Sequence, residues 1–176
     1  MGRQTMRILA MVAVAGVLFA SGGTAAAADE THSWRSFSTG WCLDAKYDKE
    51  LQRPVATQAP CNPDLWAQQW TQRDLGNGYW MLENFAGCLR NADGVHAQPP
   101  PEDRIVQVVA CDRANERLWW SQVPRSGEWT LRPRVPRIIG GSALCLSALS
   151  PSSNGRMTTQ DCAPENSIHA SWVKIQ

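Results

Sequence analysis

This 176-residue chain contains no Gly-x-Ser-x-Gly box and no His-Glu-x-x-His box. Those absences remove the nucleophile-elbow hydrolase and the zinc-peptidase readings. No two cysteines stand two to four residues apart, which removes the usual ligand pairing of a structural zinc site. His32, His96 and His169 are isolated from one another. No metal, no cofactor and no intrinsic catalysis are therefore expected. An excess of one charge is missing too: 17 Lys+Arg stand against 16 Asp+Glu, a formal net charge of +1. Such a balance leaves no electrostatic footprint for nucleic acid or for an anionic membrane. After residue 28 no stretch is apolar enough to span a bilayer. Nor does any window sustain apolar spacing at i, i+3, i+4, i+7, which argues against amphipathic helices.

The first 28 residues stand apart. Arg3 and Arg7 give a positive start, Ile8 to Ala20 is an uncharged apolar run of thirteen, and Ala26-Ala27-Ala28 precedes Asp29-Glu30. This is the pattern of an export signal with an A-x-A cleavage site. The run is short of the ~20 residues that a membrane anchor needs. No cysteine stands near the cleavage site, so a lipid anchor is not indicated. Arg3 and Arg7 are not adjacent, so a twin-arginine signal is not either. Removal leaves residues 29–176 as one secreted domain with all six cysteines. Arg3 and Arg7 leave with the segment, so 15 basic residues face 16 acidic ones and the formal charge becomes −1.

In those residues one unit is written three times. Cys42 is followed nineteen residues later by Cys61, then by Trp70. Cys88 is followed by Cys111 and Trp120, and Cys145 by Cys162 and Trp172. The first cysteine of each pair precedes a leucine: Leu43, Leu89 and Leu146. Repetition at a period near 50 residues marks a repeat architecture. Six cysteines allow fifteen pairings. If the units share one structure, each closes its own pair: Cys42–Cys61, Cys88–Cys111 and Cys145–Cys162. In the chain-entropy model each such loop contributes roughly 3 kcal/mol.

Strand and turn signals fill each unit. Tyr79-Trp80-Met81-Leu82 follows Gly76-Asn77-Gly78, and Glu128-Trp129-Thr130-Leu131 follows Ser126-Gly127. Both read as hairpins, and Arg104 to Cys111, rich in β-branched residues, reads as a further strand. Pro99-Pro100-Pro101 and Pro133 to Pro136 read as connections, the first as a surface loop. Three units of short strands point to a closed all-β barrel with threefold pseudo-symmetry, which leaves no free edges. Trp70, Trp120 and Trp172 then read as equivalent core positions.

The boxes Gly40-Trp41-Cys42-Leu43-Asp44, Pro60-Cys61-Asn62 and Gln68-Gln69-Trp70 resemble the ricin B-type lectin repeat, of the secreted bacterial type. Its pattern is C-L-D, a second cysteine and Q-x-W. The resemblance covers residues 33 to 176. It is full in the first repeat and weaker in the others, where Q-x-W becomes Leu118-Trp119-Trp120 and Ala170-Ser171-Trp172. It implies a β-trefoil of three repeats of about 45–55 residues that binds galactose or related sugars in shallow pockets.

A family pocket uses an aspartate after the first cysteine, an aromatic ring before the second, and an amide just before Q-x-W. The carboxylate fixes the sugar by charge-assisted bonds, and the ring covers its C–H face. In the first repeat these places hold Asp44, Ala59 and Ala67; in the second, Arg90, Val109 and Arg117; in the third, Ser147, Gln160 and His169. The candidate carbohydrate-binding residues are thus Asp44, Asn62, Trp66 and Gln68. For Asp44 the competing reading is a turn residue bonding nearby backbone. For Trp66, local packing over the Cys42–Cys61 bridge is favoured over a sugar platform or a protein-contact anchor. Trp119 neighbours the register position Trp120, and its direction is left open.

The leading expectation is a secreted, non-catalytic carbohydrate-binding module with a galactose-type glycan or polysaccharide as partner. One alternative is a non-catalytic cell-binding or scaffold subunit of a secreted toxin or enzyme complex, similar to the lectin-like subunits of bacterial cytolethal distending toxins. Another is a protease-inhibitor-like trefoil that presents the insertion between Cys88 and Cys111.

Overall fold

A computed structural model describes residues 29–91, 105–135, 143–148, 155–162 and 168–175. The export signal expected over residues 1–28, the Pro99-Pro100-Pro101 insertion with His96, and Pro136 lie outside the described residues.

Among the described residues strands joined by turns predominate, and the helical structure is short 3₁₀ turns. The strands are β1 (Glu30–Ser36), β2 (Cys42–Asp48), β3 (Arg53–Ala59), β4 (Trp70–Gly76), β5 (Tyr79–Asn84) and β6 (Gly87–Arg90). They continue as β7 (Gln107–Val109), β8 (Trp120–Arg125), β9 (Glu128–Pro133), β10 (Leu144–Ser147), β11 (Thr158–Asp161) and β12 (Ser171–Ile175). Six of them close into a ring of antiparallel pairs: β1–β4, β4–β5, β5–β8, β8–β9, β9–β12 and β12–β1. The last pairing sets Ser33 against Ile175 and Ser36 against Trp172. The other six form the hairpins β2–β3, β6–β7 and β10–β11. The expected hairpins at Gly76-Asn77-Gly78 and Ser126-Gly127 are β4–β5 and β8–β9. At the second, Arg125 faces Glu128 across a two-residue loop. Ser126 and Gly127 have φ of +46° and +89°, the tight turn that matches strand twist.

Each of the three hairpins carries one disulfide: Cys42–Cys61 on β2–β3, Cys88–Cys111 on β6–β7 and Cys145–Cys162 on β10–β11. Each also receives one buried indole. Trp70 Nε1 donates to the Leu43 carbonyl at 3.0 Å, Trp120 Nε1 to that of Leu89 at 2.9 Å, and Trp172 Nε1 to that of Leu146 at 3.1 Å. A buried indole N–H without an acceptor is costly. The Cys-Leu and Trp boxes therefore recur together because one supplies the carbonyl that the other needs. Trp70, Trp120 and Trp172 have no solvent exposure and lie in one core cluster with Leu43, Leu89 and Leu146. Trp34 on β1, outside the repeated register, is equally buried in that cluster.

The hairpins meet through a closed triangle of backbone hydrogen bonds. Ala56 N donates to Val106 O at 2.9 Å, Val106 N to Met157 O at 2.9 Å, and Met157 N to Ala56 O at 2.8 Å. All three residues are fully buried. The triangle corrects the strand expected over Arg104 to Cys111. Val106 gives its donor and acceptor to the other two hairpins, so the regular ladder of β7 begins only at Gln107. Ile105 makes an isolated bridge to Thr158.

Candidate functional site

The first-unit boxes converge around the buried amide of Gln68. A 3₁₀ turn, Trp66–Gln68, leads into β4 and turns this side chain inward, where it has no exposure. Gln68 Nε2 donates to Asp44 Oδ2 at 3.0 Å and to the Pro60 carbonyl at 3.1 Å. Its Oε1 accepts from Asn62 N at 2.8 Å. One glutamine thus ties the C-L-D strand to the loop behind the second cysteine. Asn62 Oδ1 in turn accepts from Asp64 N at 3.0 Å, so this side chain shapes the loop.

Asp44 is not in a turn. It stands within β2 opposite Thr57, 7% exposed. Burial pushes its carboxyl above the ordinary 3.8, against the Gln68 hydrogen bond and the Lys46 charge. Oδ1 accepts no hydrogen bond from a described residue, so one oxygen of a held, poorly hydrated carboxylate remains for an outside donor.

In the other units the matching positions satisfy themselves. Arg90 Nη1 donates to Gln107 Oε1 at 2.8 Å, and Gln160 Nε2 donates to Ser147 Oγ at 3.0 Å. The Gln68 place is filled by buried Leu118 and Ala170. The aspartate and the glutamine are absent together, as expected of a buried amide that needs an acceptor.

Trp66 does not join the Asp44 cluster, and the favoured packing reading for it fails. Its side chain is 75% exposed at the first position of the 3₁₀ turn, where nothing sequesters it over the disulfide. It borders an open groove of about 340 Å³ whose lining includes Gln69, Thr71, Arg73, Asn84 and Phe85 but not Asp44. Phe85 is 68% exposed. The sequence reading missed Phe85, Gln69 and Asn84. An aromatic in the short Asn84–Gly87 connection was the available signal. Trp119 is partly buried, with its Nε1 donating to the Arg113 carbonyl at 3.0 Å and Arg134 stacked 4.6 Å above its ring. It serves packing.

A wider concavity of about 720 Å³ lies by the β2–β3 turn, lined by Tyr47, Asp48, Glu50, Thr57 and Arg156 among others. Arg156 Nε bonds Asp48 at 2.5 Å, and its Nη2 bonds Glu50. The Arg156 hydrogen bond holds the Asp48 carboxyl down at about 2. These charges serve one another, so size alone does not make this cleft a site.

Among the described residues no group of His, Cys, Asp and Glu could hold a metal ion, and no helix is long and apolar enough to cross a membrane. No family model and no curated protein matches the sequence. Solved structures do match in fold. The designed threefold-symmetric protein ThreeFoil superposes with a TM-score of 0.64 at 17% identity, covering 83% of this chain and 98% of that one. The Rhizoctonia solani agglutinin superposes at 0.62 with 14% identity, covering 86% and 97%. The Polyporus squamosus lectin, determined with Neu5Acα2-6Galβ1-4GlcNAc bound, superposes at 0.63 with 9% identity, covering 83% and 48%. This chain thus spans about half the length of that lectin. The fold is the β-trefoil.

Proposed function

We propose that this protein is an exported, non-catalytic carbohydrate-binding module built from three trefoil repeats, with its sugar site for a galactose-type glycan in the first. The observation that carries the reading is the Asp44 carboxylate: buried, held by Gln68 at 3.0 Å and left with an oxygen that no described donor fills. Such a group accepts strong, charge-assisted bonds from sugar hydroxyls and is oriented beforehand. Structural likeness to lectins supports the reading at the level of the scaffold.

Ala59 and Ala67 occupy the places of the ring and the amide, so the site has one strong group and no stacked face. A missing ring forfeits roughly 1 kcal/mol beyond its area. A monosaccharide should then bind no tighter than about millimolar, near −4 kcal/mol.

The test is a galactose titration, followed by NMR, and a glycan array, on the mature protein and on Asp44→Asn. Affinity at least tenfold weaker in the variant, with an unchanged melting temperature, is the expected result. Undiminished binding moves the site away from Asp44. No sugar binding in the wild type ends the lectin reading in favour of a protein-binding subunit.

A further inference from the structure

The groove beside Trp66 lies apart from Asp44, which is not among its lining residues. Its floor is the outward face of β4 and of the extended residue before it, where Gln69, Thr71 and Arg73 alternate with the inward Trp70 and Gln72. Thr31 of β1 lies opposite Thr71 on one side, and Glu83 of β5 opposite Thr71 on the other. Three strands therefore present one row of polar side chains, and Trp66 and Phe85 complete its lining. Both rings stand mostly in water, although aromatic surface of that size is normally covered.

The polar groups are fixed by internal bonds that leave part of each one open. Gln69 Nε2 donates to the Pro63 carbonyl at 2.5 Å, and its Oε1 accepts nothing from a described residue. The Thr31 and Thr71 hydroxyls bond each other at 2.8 Å. Arg73 gives Nε to Glu83 at 2.7 Å and Nη1 to Asp29 at 2.5 Å. The charged residues that line the groove, Arg73 and Glu83, are thus already paired with each other. An anionic ligand would meet Glu83, and a cationic one would meet Arg73.

We propose that this groove binds a stretch of neutral polysaccharide, two or more sugar units long, with its rings stacked on Trp66 and Phe85. Three features carry the assignment. Exposed rings match the C–H faces of sugars. Fixed amide, hydroxyl and paired-ion groups match sugar hydroxyls without demanding a net charge on the ligand. Length follows from the strand: same-face residues are about 6.7 Å apart, so Gln69 to Arg73 spans about 13 Å, more than one sugar ring. A protein partner would need about 800 Å² of complementary surface on each side. Such an area takes about 20–30 residues a side, and eight residues line this groove. The proposal rests on the reading of the protein as a glycan-binding module but not on Asp44.

The test is affinity gel electrophoresis of the mature protein in soluble hydroxyethylcellulose, arabinoxylan, galactan and galactomannan, with polygalacturonate as the charged comparison. Calorimetry with oligosaccharides of two to six units of the retarding polymer follows. At least one neutral polymer should retard the wild type. Affinity should rise at least tenfold between the shortest and longest oligosaccharides. Trp66→Ala and Phe85→Ala should each weaken binding tenfold or more with unchanged melting temperatures, and Asp44→Asn should bind a galactose-free polymer like the wild type. The proposal is overturned if no neutral polymer retards the protein, if polygalacturonate retards it more strongly, if affinity is independent of length, or if the ring variants bind normally. Loss of binding to a galactose-free polymer in Asp44→Asn would also overturn it, by merging the two sites. Galactose binding at Asp44 without polymer binding would sink this inference alone.

Discussion

The three tryptophans of the repeated register are structural, and each indole N–H has its own acceptor in the core. Trp70, Trp120 and Trp172 each donate to a leucine carbonyl and have no solvent exposure. Cutting any of them to alanine should cost about 3–5 kcal/mol. Trp66→Ala, at 75% exposure, should cost less than about 0.5 kcal/mol. Thermal and urea melts of the four variants check the division, which is wrong if Trp66 is the sensitive position. Asp44 has its own signature. Its carboxyl is raised above 3.8, so the folded protein holds that proton more tightly than the unfolded chain does. Its ionisation therefore costs stability as pH rises through the raised value. Sugar binding runs the other way, because the anionic acceptor is lost as pH falls through the same range. Galactose affinity measured against pH should begin to fall at a pH above that of an ordinary aspartate. A midpoint at or below 3.8 would contradict the burial of Asp44. The three register tryptophans were legible in the sequence because their spacing repeats, whereas buried Trp34 has no counterpart to announce it. The role of Gln68 was legible only as a box, since its partners Asp44, Pro60 and Asn62 are brought to it by the fold.

Among the elements, the hairpins were readable where a turn demands a special backbone. Gly76-Asn77-Gly78 and Ser126-Gly127 announce β4–β5 and β8–β9 because few residues accept a positive φ. The length of β7 was not readable. Its β-branched run fits a long strand, and only the demands of two other hairpins on Val106 shorten it. Nor was the groove, whose residues run from Thr31 to Phe85 on three strands, the 3₁₀ turn before β4 and the β5–β6 connection. Gly87 shows how tightly β6 and β7 are set. Its φ is +135°, and a Cβ there would lie 2.2 Å from the Val109 carbonyl oxygen. Backbone cannot swing aside as a flexible side chain can. Gly87→Ala should therefore cost roughly 3–5 kcal/mol, from the strained φ and the collision together. Denaturant unfolding reads this directly, and a loss under 1 kcal/mol would mean that the β6–β7 hairpin is looser than its geometry.

For the molecule as a whole, the three disulfides staple each hairpin to itself and leave the hairpins free of one another. What joins them is the triangle of Ala56, Val106 and Met157, the shared tryptophan core, and the Arg156 bonds to Asp48 and Glu50. Every segment in the triangle both gives and takes one bond. Removing any one hairpin would leave a buried N–H and a buried carbonyl unpaired on the other two. Stability is thus a property of the closed assembly, and reduction of a single bridge should loosen one hairpin without separating it from the rest.

The pairing of β1 with β12 has a consequence for chain order. Ser33 lies across from Ile175, so the first and last strands are neighbours in the ring. The architecture distinguishes where strands lie, but it does not depend on where the polymer is cut. A circular permutant with a short Gly/Ser linker joining the two strands, and new termini opened at Ser126-Gly127, keeps every hydrogen bond of the triangle. It should fold, oxidise to the same three cystines and melt within about 10 °C of the parent, since an exposed loop tip tolerates new ends. Failure to recover those cystines would show that assembly depends on the order of synthesis as well as on final geometry.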